Sequence, residues 1–141
     1  MDRFNELFEL IGVLCRRRYQ AAEKHFSALG LNHTEARLLR LLDRNQGEAR
    51  QDALSNAVFV DRSNVGRALN GLEKKELVKR STSQSDKRAR NVRLTAKGRQ
   101  AVTRLSRARA QMIEGFFGTL SQEDAGAVAA ILRNALGDEA L

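Results

Sequence analysis

Residues 61 to 98 read DRSNVGRALNGLEKKELVKRSTSQSDKRARNVRLTAKG. The first part has helical spacing. Asp61 is a good N-cap, and Val65, Ala68, Leu69 and Leu72 recur on one face of a helix running to Leu77. Ser63, Gly66, Arg67, Asn70 and Lys74 fall on the opposite face, with Arg62 and Asn64 in the first turn. Gly66 and Gly71 each cost about 1 kcal/mol relative to Ala inside a helix, so close packing against a neighbour is expected at both. Two short β-prone runs follow, LVKRST and NVRL, around a polar loop. That loop ends on Lys87, Arg88 and Arg90, three cations within four positions, which is more charge than a hairpin tip needs. Thr95 then caps the next helix.

Outward from this stretch the chain is helical. Phe4, Leu7, Phe8, Ile11, Leu14, Cys15, Tyr19, Ala22, Phe26 and Leu29 keep three- and four-residue spacing, the stripe of one long amphipathic helix. Gly30 supplies its C-terminal stop. Asn32 with Glu35 forms a capping box that opens a second helix to about Arg44. NQGEAR reads as a turn with a very short strand, and RQDALSNAVF as a third helix of two or three turns. Beyond Thr95, Val102, Leu105, Ala108, Met112, Ile113 and Phe116 mark another helix, and GFFGTL interrupts it. Ser121 and Asp124 have capping-box spacing before a last helix, QEDAGAVAAILRNAL.

The charge is local. Residues 61 to 110 hold 15 Lys/Arg against 4 Asp/Glu, a net +11, while the rest hold 10 against 13, a net −3. A general solubility charge would be spread, so this distribution points to a site facing a polyanion. No run approaches the roughly 18 apolar residues of a membrane span. The N-terminus lacks the basic-then-apolar pattern of a secretory signal. The single cysteine allows no internal disulfide, and these features together imply a cytoplasmic protein with no membrane partner.

Two short helices, the second polar and basic outside, followed by a charged hairpin, describe a winged helix-turn-helix. The fold class is therefore mainly α with a small β-hairpin wing. A B-DNA major groove admits one helix, and the preceding short helix braces it. Arg62, Ser63 and Asn64 would meet base edges first, with Arg67 one turn on and Asn70 and Lys74 beyond. Arg pairs bidentately with guanine and Asn with adenine. Lys87, Arg88 and Arg90 would rest on phosphates or enter a narrow minor groove. Lys74, Lys75, Lys79 and Arg80 read as phosphate supports or as stems covering apolar surface. The terminal helices carry apolar stripes that a small winged unit cannot cover, so they need a partner surface.

The residues DRSNVGRALNGLEKKELVKR and SDKRARNVRLTAKG resemble the MarR family of bacterial transcription regulators. Leu72, Leu77, Val78, Arg80, Asp86, Arg88, Val92, Leu94, Thr95 and Gly98 match its pattern. Glu76 and Phe59 stand where glycines are usual. The resemblance implies an effector-responsive repressor that binds double-stranded DNA as a homodimer on a pseudo-palindromic operator. It implies a helical dimerisation region, 1–30 and 96–141, around a winged-helix DNA-binding region, 31–95, all within one domain, 1–141. It makes Arg88 the wing arginine, with Asp86 orienting it, and it implies a small aromatic effector of unknown pocket.

Some MarR-like proteins resemble peroxide sensors with one reactive cysteine in the first helix, which makes Cys15 a redox candidate. Its place on the apolar stripe favours a core hydrophobe instead. His25 and His33 with one cysteine are too few for structural zinc. No nucleophile elbow, apolar carboxylate pair or phosphate loop is visible, so neither an enzyme nor a cofactor is expected. The Phe116–Phe117 pair reads as core or dimer contact. An RNA- or ribosome-associated basic module is the alternative. It would show aromatics for base stacking, and none lies between Asp61 and Arg109, which favours duplex DNA.

Overall fold

A computed structural model describes residues 2–58 and 62–139. Six helices and three strands follow in the order α1 (Arg3–Ala28), α2 (His33–Arg44), β1 (Glu48–Arg50), α3 (Gln51–Val58), α4 (Arg62–Lys74), β2 (Val78–Thr82), β3 (Arg90–Leu94), α5 (Ala96–Phe116) and α6 (Gln122–Leu136), with a short 3₁₀ turn at Gly137–Glu139. The fold is a winged helix with long terminal helices, as the spacing implied. Three caps form as read. Asn32 and Glu35 exchange both bonds of a capping box, Thr95 Oγ1 accepts from Gly98 N, and Gly30 takes φ +72° after α1. Ser121 Oγ accepts from Asp124 N at 3.0 Å, which is one half of a box. The Asp61 cap and Phe59 lie outside the described residues. Among the described residues no helix is long and apolar enough to cross a membrane.

The sheet has the order β1-β3-β2, antiparallel throughout. The short strand in NQGEAR is therefore real, and it pairs Glu48 with Arg93 and Arg50 with Asn91. It adds an outer strand to the hairpin and ties the wing to the turn after α2. The core lies where α2, α3, α4, the sheet and the start of α5 meet. Leu38, Leu39, Leu42, Leu54, Val65, Leu69, Leu72, Val78, Val92 and Leu105 are its buried members. Phe26 and Leu29 from the end of α1 pack against it. Tyr19 and Phe26 also hold the His33 ring, Tyr19 stacked at 3.9 Å and Phe26 edge-on at 5.3 Å, which fastens α1 to the first turn of α2.

The rest of α1 behaves otherwise. It has no buried residue, and Phe4 (84%) and Phe8 (76%) are among the most exposed side chains. Leu7, Ile11, Leu14, Tyr19, Ile113, Val128, Ile131 and Leu136 are exposed with them. Cys15, expected in the core, is exposed with them: among the described residues nothing buries this part of the stripe. Phe116 and Phe117 meet edge-to-face at 4.9 Å at the end of α5, and Phe117 is exposed, so the pair is no part of the core.

Two glycines behave as close packing requires, and one does not. A Cβ on Gly98 would overlap the Leu77 carbonyl oxygen, so only glycine lets α5 start where it does. A Cβ on Gly71 would sit 2.8 Å from Glu35 Oε2. Gly66 has open space around it, so packing does not explain it. The Gly71 gap admits Glu35, which is buried (4%) and accepts from Lys75 Nζ at 2.7 and 2.9 Å while completing the capping box. Lys75 is thus a clasp between α2 and α4 rather than a phosphate support.

Glu76 sits at φ +62°, the left-handed region that costs a residue with a Cβ roughly 1–2 kcal/mol. Glu76→Gly is expected to raise stability by about 0.5–1 kcal/mol once the unfolded-chain entropy of glycine is set against it. Gly98→Ala should lower it by about 2 kcal/mol or more, because backbone must move. Chemical denaturation of both variants checks the pair. Gly71→Ala should destabilise the wild type yet stabilise a Glu35→Ala background by about 1 kcal/mol, the helix propensity gain, in a double-mutant cycle.

Candidate nucleic-acid interface

The buried stripe Val65, Ala68, Leu69 and Leu72 turns the other face of α4 outward. Arg62, Ser63, Asn64, Arg67, Asn70 and Lys74 are all exposed there. The spacing leaves no alternative: with one face held by leucines, every polar position falls on the free side. Two of these polar groups are organised. An Arg67 NH2 group donates to Asn64 Oδ1, and an Arg80 NH2 group donates to Asn70 Oδ1. In each asparagine the carbonyl oxygen is engaged.

Arg80 lies on β2, and its Nε also donates to Glu73 Oε2 at 3.1 Å. Its side chain is only 13% exposed. One guanidinium thus joins the wing strand to two positions of α4, four residues of helix at a single fork. Sequence reasoning placed Arg80 among phosphate supports or stems covering apolar surface. The structure makes it an internal brace. The signal was present in principle, since Asn70 and Glu73 share a helix edge, but the register of β2 against α4 is a tertiary fact. The Arg80 side chain holds the Glu73 carboxyl below its ordinary range, through its hydrogen bond first and its charge after. A lowered carboxyl contributes when ionised, so this tie is complete above the ordinary carboxylate range and fades as pH falls through the depressed value.

The wing tip is built by Asp86. Its Oδ1 accepts from Arg88 N at 3.0 Å, and its carbonyl accepts from Ala89 N at 3.0 Å. Ala89 is buried and its carbonyl accepts from Ser83 N at 2.9 Å, closing the loop. Asp86, Lys87, Arg88 and Arg90 are exposed, and Arg90 is the first residue of β3. The aspartate therefore shapes the backbone that carries Arg88. Two cations elsewhere in the sheet are partnered: Arg93 lies 3.6 Å from Glu48, and Arg50 bonds Asp52 at 3.0 Å. Among the described residues no three His, Cys, Asp or Glu side chains gather as a metal site.

A helix with an outward polar face, braced behind by a shorter helix and tied to a basic hairpin, defines a winged helix-turn-helix protein. The MarR family model matches residues 31–89, so the winged unit of this chain is a MarR-family domain. A protein of Thauera aromatica described as a transcriptional regulatory protein for the hcr operon is 33% identical over 96 residues, 68% of this chain. The match spans 57% of that relative's own length. Among solved structures, a mutant MarR of Escherichia coli complexed with operator DNA superposes with a TM-score of 0.80 at 22% identity, over 96% of this chain and 99% of that one. BpsR of Bordetella bronchiseptica, whose DNA binding is regulated by 6-hydroxynicotinic acid, gives 0.80 at 21% identity over 97% of each chain.

Arg80→Ala is expected to loosen the wing from α4 while leaving the core intact. Amide exchange in β2 and in the Asn70–Lys74 turn should rise about tenfold or more, the loss of a charge-assisted fork. Arg80→Lys, which keeps the charge but loses the fork, should restore only part of the protection. Unchanged exchange in both would show that the brace carries no weight.

Proposed function

We propose that this chain is a sequence-specific, double-stranded DNA-binding transcription regulator that works in the cytoplasm as a homodimer and represses until an effector binds. It acts by binding rather than by catalysis. The observation that carries the reading is the pairing of an outward polar α4 with a basic wing on one rigid brace. Arg62, Ser63, Asn64 and Arg67 enter the major groove at the start of α4. Asn70 and Lys74 lie further along it, towards the backbone. Arg88 and Arg90, with Lys87, take the flanking minor groove or its phosphates. Asp86 joins this DNA-facing set by shaping the backbone of the tip that carries Arg88.

The dimer follows from the uncovered faces. Phe4, Phe8, Ile131 and Leu136 are more apolar surface than an isolated small domain leaves in water, and they lie on the two terminal helices. Segments 1–30 and 96–141 therefore form the dimerisation region, and 31–95 the DNA-binding region, of one domain. Two-fold pairing puts two α4 helices on half-sites about 10 base pairs apart. Cys15, on the exposed stripe of α1, then lies with the dimer helices, and redox sensing there would act through assembly. The operator complex of the E. coli protein and the small-acid control of BpsR support this reading by likeness of fold.

Gel-shift titration tests it. Affinity should fall steeply with salt, with a log–log slope near −0.9 for each phosphate neutralised. Arg88→Ala should weaken binding to all duplexes and lower that slope by about 1. Asn64→Ala and Arg67→Ala should each cost about 1–3 kcal/mol on the preferred site and relax its sequence. Selection from random duplexes should return an inverted repeat. Wild-type affinity in all three variants would remove the assignment.

A further inference from the structure

Among the described residues from α2 to the start of α5, every glycine but Gly66 has a use inside the chain. Gly47 holds φ +90° in the turn before β1, Gly71 admits Glu35, and Gly98 clears the Leu77 carbonyl. Gly66 lies inside α4, and a Cβ built there meets nothing within 4 Å. Glycine in a helix interior weakens the helix relative to alanine. The position therefore carries a cost that no contact within the chain offsets.

Its place on the helix says what the space opens onto. Helical periodicity puts Arg62, Gly66, Asn70 and Glu73 along one edge of α4. The Arg80 fork fixes which edge that is, because it reaches from β2 to both Asn70 and Glu73. It is the edge that faces the hairpin. At Asn70 and Glu73 that edge is closed against β2. One turn earlier, at Gly66, it is open. Arg62 is exposed a turn earlier still, a cation beside the opening.

Adjacent major and minor grooves of a duplex are separated by one sugar–phosphate strand. A helix in one groove and a hairpin tip in the next must straddle that strand, which then runs along the helix edge facing the hairpin. We propose that Gly66 is where this strand crosses α4, and that its missing Cβ sets how deeply the helix seats in the groove. The proposal rests on the regulator reading and adds to it a residue that makes room rather than a bond. Ser63, Arg67 and Lys74 stand opposite the buried stripe and face the groove floor. Gly66 lies to one side of them and is half-buried, so it meets a groove wall and not a base edge.

Thermal melting and gel-shift titration of Gly66→Ala test it, with the duplex recovered by selection and an unrelated duplex of the same length. The melting temperature should rise by a few degrees, since the methyl enters open space and alanine favours the helix. Affinity should nevertheless fall about tenfold or more on both duplexes, because overlap with the strand does not depend on sequence. Duplexes nicked at one step at a time, with the phosphate left out, then locate the strand. One nick in each half-site should close the gap between Gly66→Ala and the wild type. A lower melting temperature, wild-type affinity in Gly66→Ala, or a gap that no nick closes overturns the proposal. A loss confined to the selected duplex overturns it too, and assigns Gly66 to a base edge. Each of those results leaves the regulator reading standing. Failure of the wild type to bind either duplex sinks that reading and this proposal together.

Discussion

The Leu77 carbonyl oxygen is the point on which the winged unit closes. It accepts from Thr95 N at 3.1 Å, and Gly98 leaves it the space a Cβ would fill. Leu77 N donates back to Leu72 O at 2.9 Å, which ends α4. Thr95 Oγ1 meanwhile donates to the neighbouring Glu76 carbonyl at 2.6 Å and accepts from Gly98 N. Within a few residues the end of α4, the start of β2, the end of β3 and the first turn of α5 are joined. Strain is accepted to keep it so: Glu76 holds a left-handed backbone that glycine would hold without cost. The wing and α4 are tied at a common root, and the Arg80 fork repeats the tie further out.

A second tie ties that body to α2. Buried Glu35 is at once the return arm of a capping box and the acceptor of Lys75. A buried carboxylate stripped of one partner is costly, so its two donors make α2 and the far end of α4 interdependent. α2 in turn contacts α5 and α1, and α1 carries an exposed apolar stripe. The molecule therefore divides into a well-packed winged unit and an arm that is complete only when another surface covers it.

Helix boundaries were largely legible because capping and termination are local. Asn32, Thr95 and Ser121 sit where an unpaired N–H needs an oxygen, and Gly30 where the backbone must turn left-handed. The outward face of α4 was legible because a period of 3.6 fixes which residues share a side once four apolar ones are placed. Burial along α1 was not. Its stripe is as regular as that of α2, and a periodic pattern says that a face wants cover without saying which surface supplies it. Cys15 was misplaced for that reason. The partners of Lys75 and Arg80 were not legible, because one lies forty residues away and the others lie on the preceding helix at a distance set by how β2 packs on it.

What the residue order determined by itself was therefore everything governed by neighbours within a turn or two: the helices, their caps, the hairpin, the polar face of α4 and the concentration of positive charge. Tertiary structure alone decided which charges are spent on carboxylates and which remain available, because that depends on distances between elements that no local period encodes. It made Gly71 and Gly98 necessary and left Gly66 unconstrained by packing, though all three read alike as glycines in helical sequence.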